Sequence, residues 1–296
     1  MSTCPDCQGR SYQIVRQSAF AHARVCRCAR PCPKCGDLGY VYENREQTFS
    51  EKVGARTYEV LVPCSCRLRV RRVQSFNAAK LPSSVGHATF ENFKPAVPEQ
   101  GRALKAAQAF AYGYSSKIPS RGFVLGGPVG AGKTHLIAAA LAHVILESGA
   151  RAAYVEISLL YATIRRGFQD GKSGGEIIGP LSEVEVLAID EIGKGRGSPF
   201  EMETLDELIA RRYNAGRTTL FATNYSLAPE KRVTSVRTAP AGYRSSAEHK
   251  EAAKDSELLR ERVGERIYSR LCEMCEFVEL PPSTPDQRRM RHEMMR

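Results

Sequence analysis

The sequence predicts an α/β fold, a parallel sheet between helical layers, built around a phosphate-binding loop and preceded by a small metal-stabilised module. Three observations carry this reading. Residues 127–134, GPVGAGKT, fit the pattern G-x-x-x-x-G-K-[ST], with a short apolar strand before them and a long apolar-rich helix after. A second apolar run, Val186 to Ile189, ends in the acidic pair Asp190-Glu191. Eight of the ten cysteines fall before residue 67, in four close pairs.

Composition sets the frame. The chain has 296 residues, 25% charged and 42% hydrophobic, enough to build a core without staples. No apolar run approaches the ~18 residues of a membrane-spanning helix. The opening MSTCPDCQGR lacks the apolar segment of a secretory signal. The expectation is a cytoplasmic protein with no membrane partner, where thiols stay reduced and paired cysteines favour metal over disulfides. A net charge of +11 suits a polyanionic partner without establishing one.

The cysteines come first in the chain. Cys4-x-x-Cys7, Cys26-x-Cys28, Cys32-x-x-Cys35 and Cys64-x-Cys66 form a repeat: a CPxC element followed by Gly, a strand-prone segment, then CxC. In the second copy that segment contains YVYE and TYEVLV, two strands of a hairpin. Four thiolates from a knuckle and an adjoining CxC meet the needs of a closed structural zinc site. The reading is two zinc ions held sequentially. A nested arrangement, in which the outer pairs share one ion and the inner pairs the other, fits the spacing too. An iron–sulfur centre is the other all-cysteine chemistry. Residues 1–80 carry 14 Lys/Arg against 6 Asp/Glu, and eight thiolates with two Zn²⁺ remove half of that excess. A module this mildly basic suits protein docking at least as well as DNA binding. Cys272 and Cys275, in LCEMCEF, have no partner pair nearby and are read as core packing.

Residues 1–66 are thus expected as a two-zinc domain and 67–97 as a linker. The linker carries Arg67, Arg69, Arg71 and Arg72, and Pro82 interrupts a helical stretch. The ATPase domain is expected over 98–296.

In the phosphate loop, Gly127, Gly130 and Gly132 let backbone N–H groups converge on phosphate at a helix N-terminus, with Pro128 shaping the turn. Lys133 reaches the β- and γ-phosphates of ATP, Thr134 ligates Mg²⁺, and His135 follows beside the nucleotide. The run RAAYVEI reads as a buried strand. In VEVLAIDEIG, Asp190 is placed to hold Mg²⁺ and Glu191 to polarise the attacking water. A strand between loop and acidic pair, together with that glutamate, marks the additional-strand ATPases. The strand TTLFAT ends in Asn224, a polar group positioned to sense the γ-phosphate. Arg266 and Arg270 lie four apart on one helix face. Residues 228–256 are Ala-, Ser- and charge-rich and read as a mobile insertion. Too few residues follow the last strand for an all-helical lid.

Taken together, ATFENF, GPVGAGKTHLIAAA, LLYATIRRGF, AIDEIG, ARRYNAGRTTLFATN and GERIYSRL resemble the AAA+ bacterial replicative helicase loaders of the DnaC/DnaI type and the related IstB-type transposition ATPases. The resemblance covers about residues 83 to 290. It implies an AAA+ ATPase using ATP and Mg²⁺, with Asn224 as sensor 1, Arg270 as arginine finger, Arg266 supporting it, and Arg288 of PDQRR as a second sensor. It implies a replicative helicase hexamer and single-stranded DNA as partners, and self-association into a ring or spiral through the arginine finger. Tyr161, Arg165, Arg166 and Phe168 sit where such ATPases touch single-stranded DNA. The zinc domain would dock the helicase, and hydrolysis would switch assembly and release. The alternative it implies is a targeting ATPase that binds duplex DNA and recruits a transposase.

Overall fold

Two copies of one small unit begin the chain in the computed structural model, which describes residues 4–48, 55–227 and 258–289. Each unit is a cysteine knuckle, an antiparallel hairpin and a second cysteine pair. β1 (Tyr12–Gln17) pairs with β2 (Phe20–Val25), Tyr12 opposite Val25. β3 (Tyr40–Thr48) pairs with β4 (Ala55–Pro63), Tyr40 opposite Pro63, as the YVYE and TYEVLV segments predict. The first CxC then enters a single 3-10 turn at Arg27–Ala29. The second opens a long helix, α1 (Ser65–Ala78), with Cys64 at its N-cap in extended conformation.

That helix occupies much of the stretch expected as a linker, and it is no free tether. Val73 and Phe76, three apart and therefore on one face, are buried. The Asn77 amide accepts from Ala23 N at 2.6 Å and donates to Ala23 O at 3.0 Å, while Arg72 donates to Leu146 O at 3.1 Å. Ala21, Ala23 and Phe76 share one core with Leu136 and Ile137 of the phosphate-loop helix. Composition alone shows the arginines of this stretch; the two apolar residues that follow them decide its packing.

The second half of the chain is a five-stranded parallel sheet flanked by helices. Its members are β5 (Gly122–Gly126), β6 (Ala152–Glu156), β7 (Val186–Asp190), β8 (Thr218–Thr223) and β9 (Cys275–Glu279). They lie in the order β6-β7-β8-β5-β9. The strand that separates the phosphate-loop strand from the acidic strand is therefore β8, which comes after both in sequence. β5, β7 and β8 are buried throughout, which explains their continuous apolar runs. Their side chains still alternate. Phe123, Leu125, Ala188 and Leu220 enter one core with α2 (Pro98–Gly113) and α3 (Lys133–Leu146). Val124, Leu187, Ile189 and Phe221 enter the other with α4 (Ile157–Gln169), α5 (Gly174–Glu183), α6 (Pro199–Asn214), α7 (Leu259–Val263) and α8 (Glu265–Met274).

Arg212 is fully buried within this second layer. Its guanidinium donates to Leu181 O at 2.8 Å and Val184 O at 2.9 Å, near the end of α5, and to Thr219 Oγ1 at 2.9 Å. These acceptors offset a desolvation that pushes its pKa down to about 9. Cys275 is buried, its thiol 3.4 Å from Thr219 O, but Cys272 is exposed; the packing reading holds only for the first. The insertion expected at 228–256 lies outside the described residues.

Candidate functional site

The parallel sheet delivers three strand ends to one point. β5 leads into the glycine loop, β7 ends at Asp190 and β8 at Thr223, next to Asn224. A cavity of about 530 Å³ opens there, lined by Lys133, Thr134, Asp190, Glu191 and Asn224. The loop reaches this point because its glycines adopt backbone shapes closed to other residues. Gly132 has φ 96°, and an added Cβ would lie 2.5 Å from the Phe93 ring. At Gly130, φ 79°, an added Cβ would lie 2.1 Å from Cγ of Asp286.

Lys133 is buried and donates to Gly127 O and Pro128 O at 2.7 Å and to Asn224 Oδ1 at 2.8 Å. Burial pushes its pKa down to about 8; Asp190 and Glu191 act against that shift, and Arg288 adds to it. Thr134 Oγ1 donates to Asp190 Oδ2 at 2.8 Å. The same carboxylate accepts from Tyr154 OH at 2.7 Å and from Glu191 N at 2.9 Å. Burial and the facing Asp190 raise the Tyr154 pKa, so it remains a donor. A hydroxyl and a carboxylate held together by three donors fit Mg²⁺, which takes oxygen ligands and few protein groups.

Glu191 has φ 56°, an uncommon shape for this residue that turns it away from the strand. Its carboxylate is gripped by Lys194, which also contacts Glu156 Oε1 at 3.2 Å. Glu156 in turn accepts from Ser158 Oγ at 2.6 Å at the start of α4.

The remaining predicted residues divide. Arg288 lines the cavity. His135 also lines it, with Nε2 2.9 Å from Thr89 O and its ring 5.4 Å from that of Phe93. Arg266 and Arg270 do not line it; both pair with Asp206 of α6, at 3.3 and 2.6 Å. On α4, Tyr161 is buried, because its ring packs beneath Phe200 in the second core, and it is not available to stack a base. Phe168 is half exposed, and Arg165 pairs with Glu201 at 3.6 Å.

The eight cysteines gather as two sequential quartets, Cys4, Cys7, Cys26 and Cys28, then Cys32, Cys35, Cys64 and Cys66, each with its sulfurs within 4.8 Å of one another. Sulfur pairs lie at 3.9 and 3.4 Å in the first and 3.8 and 3.4 Å in the second. Tetrahedral zinc with Zn–S bonds of about 2.3 Å sets sulfurs about 3.8 Å apart. The donor sets therefore fit two zinc ions.

The family model for the IstB-like ATP binding protein matches residues 44–234, more than half of the chain. The chain belongs to this family. The chain is 28% identical over 155 residues to the replicative helicase loader DnaC of Escherichia coli K12, covering 52% of this chain and 62% of that one. It is 30% identical over 140 residues to DnaC of Buchnera aphidicola subsp. Schizaphis graminum, covering 47% and 56%. The chain spans about three fifths of the length of the helicase loaders it matches. It is also 28% identical over 184 residues to the uncharacterized protein YdaV of Escherichia coli K12, covering 62% and 71%. Among solved structures, the DnaC helicase loader aligns with TM-score 0.52 and 25% identity over 66% of this chain and 97% of that one. A DNA replication initiation factor aligns with TM-score 0.50 and 17% identity over 70% and 54%, a likeness of fold. The fold is that of an AAA+ ATPase core behind cysteine clusters able to hold zinc. No helix among the described residues is long and apolar enough to cross a membrane.

Several members of this IstB-like site are absent from the sequence motifs. Ser84, Val85 and His87 line the cavity from the segment before the sheet. Asp286 lies against Gly130, and Gln287 N donates to Gly130 O at 3.0 Å, so the chain beyond β9 folds back over the phosphate loop. Tyr154 and Asp206 act through partners distant in sequence, and Lys194 joins nearby Glu191 to distant Glu156. Only PDQRR gave a signal, through Arg288.

Proposed function

We propose that this protein is an ATP-driven loader of the replicative helicase hexamer onto single-stranded DNA. The observation that carries the reading is the match to DnaC loaders, by sequence and by fold, on a core whose Lys133, Thr134, Asp190, Glu191 and Asn224 converge on one cavity. Lys133 would bind the β- and γ-phosphates and report their presence to Asn224. Thr134 and Asp190 would hold Mg²⁺, which supplies charge neutralisation on the phosphates. Glu191 would orient a water and accept its proton as ATP is cleaved to ADP and phosphate. Arg288 would contact the phosphates from the returning C-terminal segment. Arg270, assisted by Arg266, would serve the site of a neighbouring copy in a ring or spiral, on the cytoplasmic DNA template. The two zinc ions would be structural, and the domain of residues 1–66 would dock the helicase. Its attachment through α1 to the phosphate-loop helix offers a route by which nucleotide state reaches the docked partner.

A helicase-loading assay tests this: the purified protein, ATP and the replicative helicase of the same organism on a single-stranded circle coated with binding protein. Loading should require ATP and fail with Lys133→Ala. Loading that is independent of this chain would refute the proposal. The family model favours one second reading, a transposition ATPase on duplex DNA that recruits a transposase. ATP-dependent filaments on duplex DNA, without helicase binding, would select it.

A further inference from the structure

A groove of about 1000 Å³ runs between the two cysteine units and the first turns of α1, away from the nucleotide cavity. Its lining is of two kinds. Val25, Leu38 and Leu68 supply aliphatic surface, with Leu38 81% and Leu68 57% exposed. Arg30, Arg67 and Arg71 supply positive charge, and among the described residues none of the three forms an ion pair. Among the described residues of the lining the one acid, Asp37, accepts from Cys32 N at 2.9 Å. We propose that this groove binds an acidic amphipathic segment of the replicative helicase, its aliphatic residues on Leu38 and Leu68 and its carboxylates on Arg30, Arg67 and Arg71. This rests on the loader reading and names the surface through which the zinc domain acts.

Two physical points select a peptide over nucleic acid. Single-stranded DNA gains its affinity from bases stacked on open aromatic faces as well as from phosphate contacts. Among the described residues of the lining the one aromatic ring, Tyr40, already carries the Arg67 guanidinium 4.5 Å from its centroid. Aliphatic surface beside guanidinium groups instead matches a helix with apolar residues on one face and carboxylates at its edges. A helix about 10 Å across fills on the order of 400 Å³ per turn, so the groove takes about two turns. Both cysteine units contribute walls, which gives the paired metal sites a purpose: each fixes one side of the groove.

The test uses the full zinc-loaded chain and the purified helicase of the same organism, with binding read by interferometry. Leu68→Asp and Arg71→Glu should each raise the Kd for helicase at least tenfold. Both should keep two zinc ions per chain, wild-type basal ATP hydrolysis and wild-type affinity for oligothymidylate. If the wild type binds helicase and both variants bind it equally well, the groove is excluded while the loader reading stands. If the variants lose oligothymidylate and keep the helicase, the groove serves nucleic acid and the proposal is overturned. If the wild type does not bind the helicase, the loader reading and the groove proposal fall together.

Discussion

Arg270 Nη1 lies 2.6 Å from Asp206 Oδ1, and Arg266 Nη2 lies 3.3 Å from the other oxygen of the same carboxylate. One acid on α6 therefore holds both arginines of α8. Arg270 is the more enclosed, at 23% exposure against 67%, and its guanidinium also lies 5.9 Å from the Tyr213 ring centroid. A guanidinium oriented in this way is placed to project as a unit with the helix face rather than as a loose side chain.

If Arg270 acts on a neighbouring copy, Arg270→Ala should lower DNA-stimulated hydrolysis about 1,000-fold or more, within the range known for arginine fingers. ATP affinity should stay within about threefold, since the side chain does not line its own cavity. The decisive check is mixing. Glu191→Gln copies retain the arginine and Arg270→Ala copies retain the glutamate, so a mixture should recover part of the activity. No recovery at any ratio would show that Arg270 acts only within its own chain.

Lys194 grips the carboxylate that should polarise water, and Glu156 shares the same ammonium. That ammonium occupies Glu191 Oε2, an oxygen that would otherwise be open to the attacking water. Lys194→Ala should therefore raise basal hydrolysis several-fold and reduce the further stimulation by DNA. Glu191→Gln should abolish turnover while leaving ATP bound. A Lys194→Ala protein with unchanged basal turnover would show the ion pair to be idle. Because Glu156 sits at the start of α4, the pair also joins the catalytic glutamate to the helix expected to meet DNA.

The pH dependence follows from Lys133. Its pKa of about 8 lies below the ordinary 10.5 because burial disfavours the charged form. Asp190, Glu191 and Glu279 draw it back up, and Arg288 pushes it further down. At pH 7 the ammonium is charged and binds phosphate. At pH 9 most of it is neutral before nucleotide arrives, so ATP binding must take up a proton. Affinity should weaken by up to about tenfold per pH unit above 8, and calorimetry at pH 8.5 should show proton uptake that vanishes at pH 6.5. The nucleotide-free fold responds in the opposite sense. Its unfolded state holds the proton to about 10.5, so this group's contribution to stability grows as pH rises from 8 and is lost as pH falls back through it.

What the sequence displays plainly is chemistry packed into short spacing. GPVGAGKT, Asp190-Glu191 and the cysteine pairs are each local, and local geometry follows from local residues. The strand order is different. RAAYVEI lies between loop and acidic pair along the chain, yet TTLFAT lies between them in space, because parallel strands need crossovers and their order is a tertiary outcome. Tyr154 is 36 positions from Asp190, and Arg270 is 64 from Asp206. No periodicity encodes such pairs. Tyr161 shows the converse error: a residue in an apparently DNA-facing motif is buried, since Phe200 and α6 pack over it.

The metal centres admit a test by stoichiometry. Cys7 belongs to the first quartet and Cys64 to the second. In a nested arrangement these two residues would serve the same ion. The wild type should hold two zinc ions per chain, and Cys7→Ser and Cys64→Ser should each lose one. The double variant separates the arrangements: sequential quartets predict no tightly held zinc, whereas nesting predicts one. The two single losses should also differ in consequence. Cys64 forms the N-cap of α1, and α1 carries Phe76 into the core of the phosphate-loop helix. Loss of the second ion should therefore lower the melting temperature of the whole chain, with nucleotide affinity following. Loss of the first acts on that core through β2, whose buried contributions are the small side chains of Ala21 and Ala23, and should lower the melting temperature less. Equal thermal effects of the two variants would show that α1 does not depend on the metal that starts it.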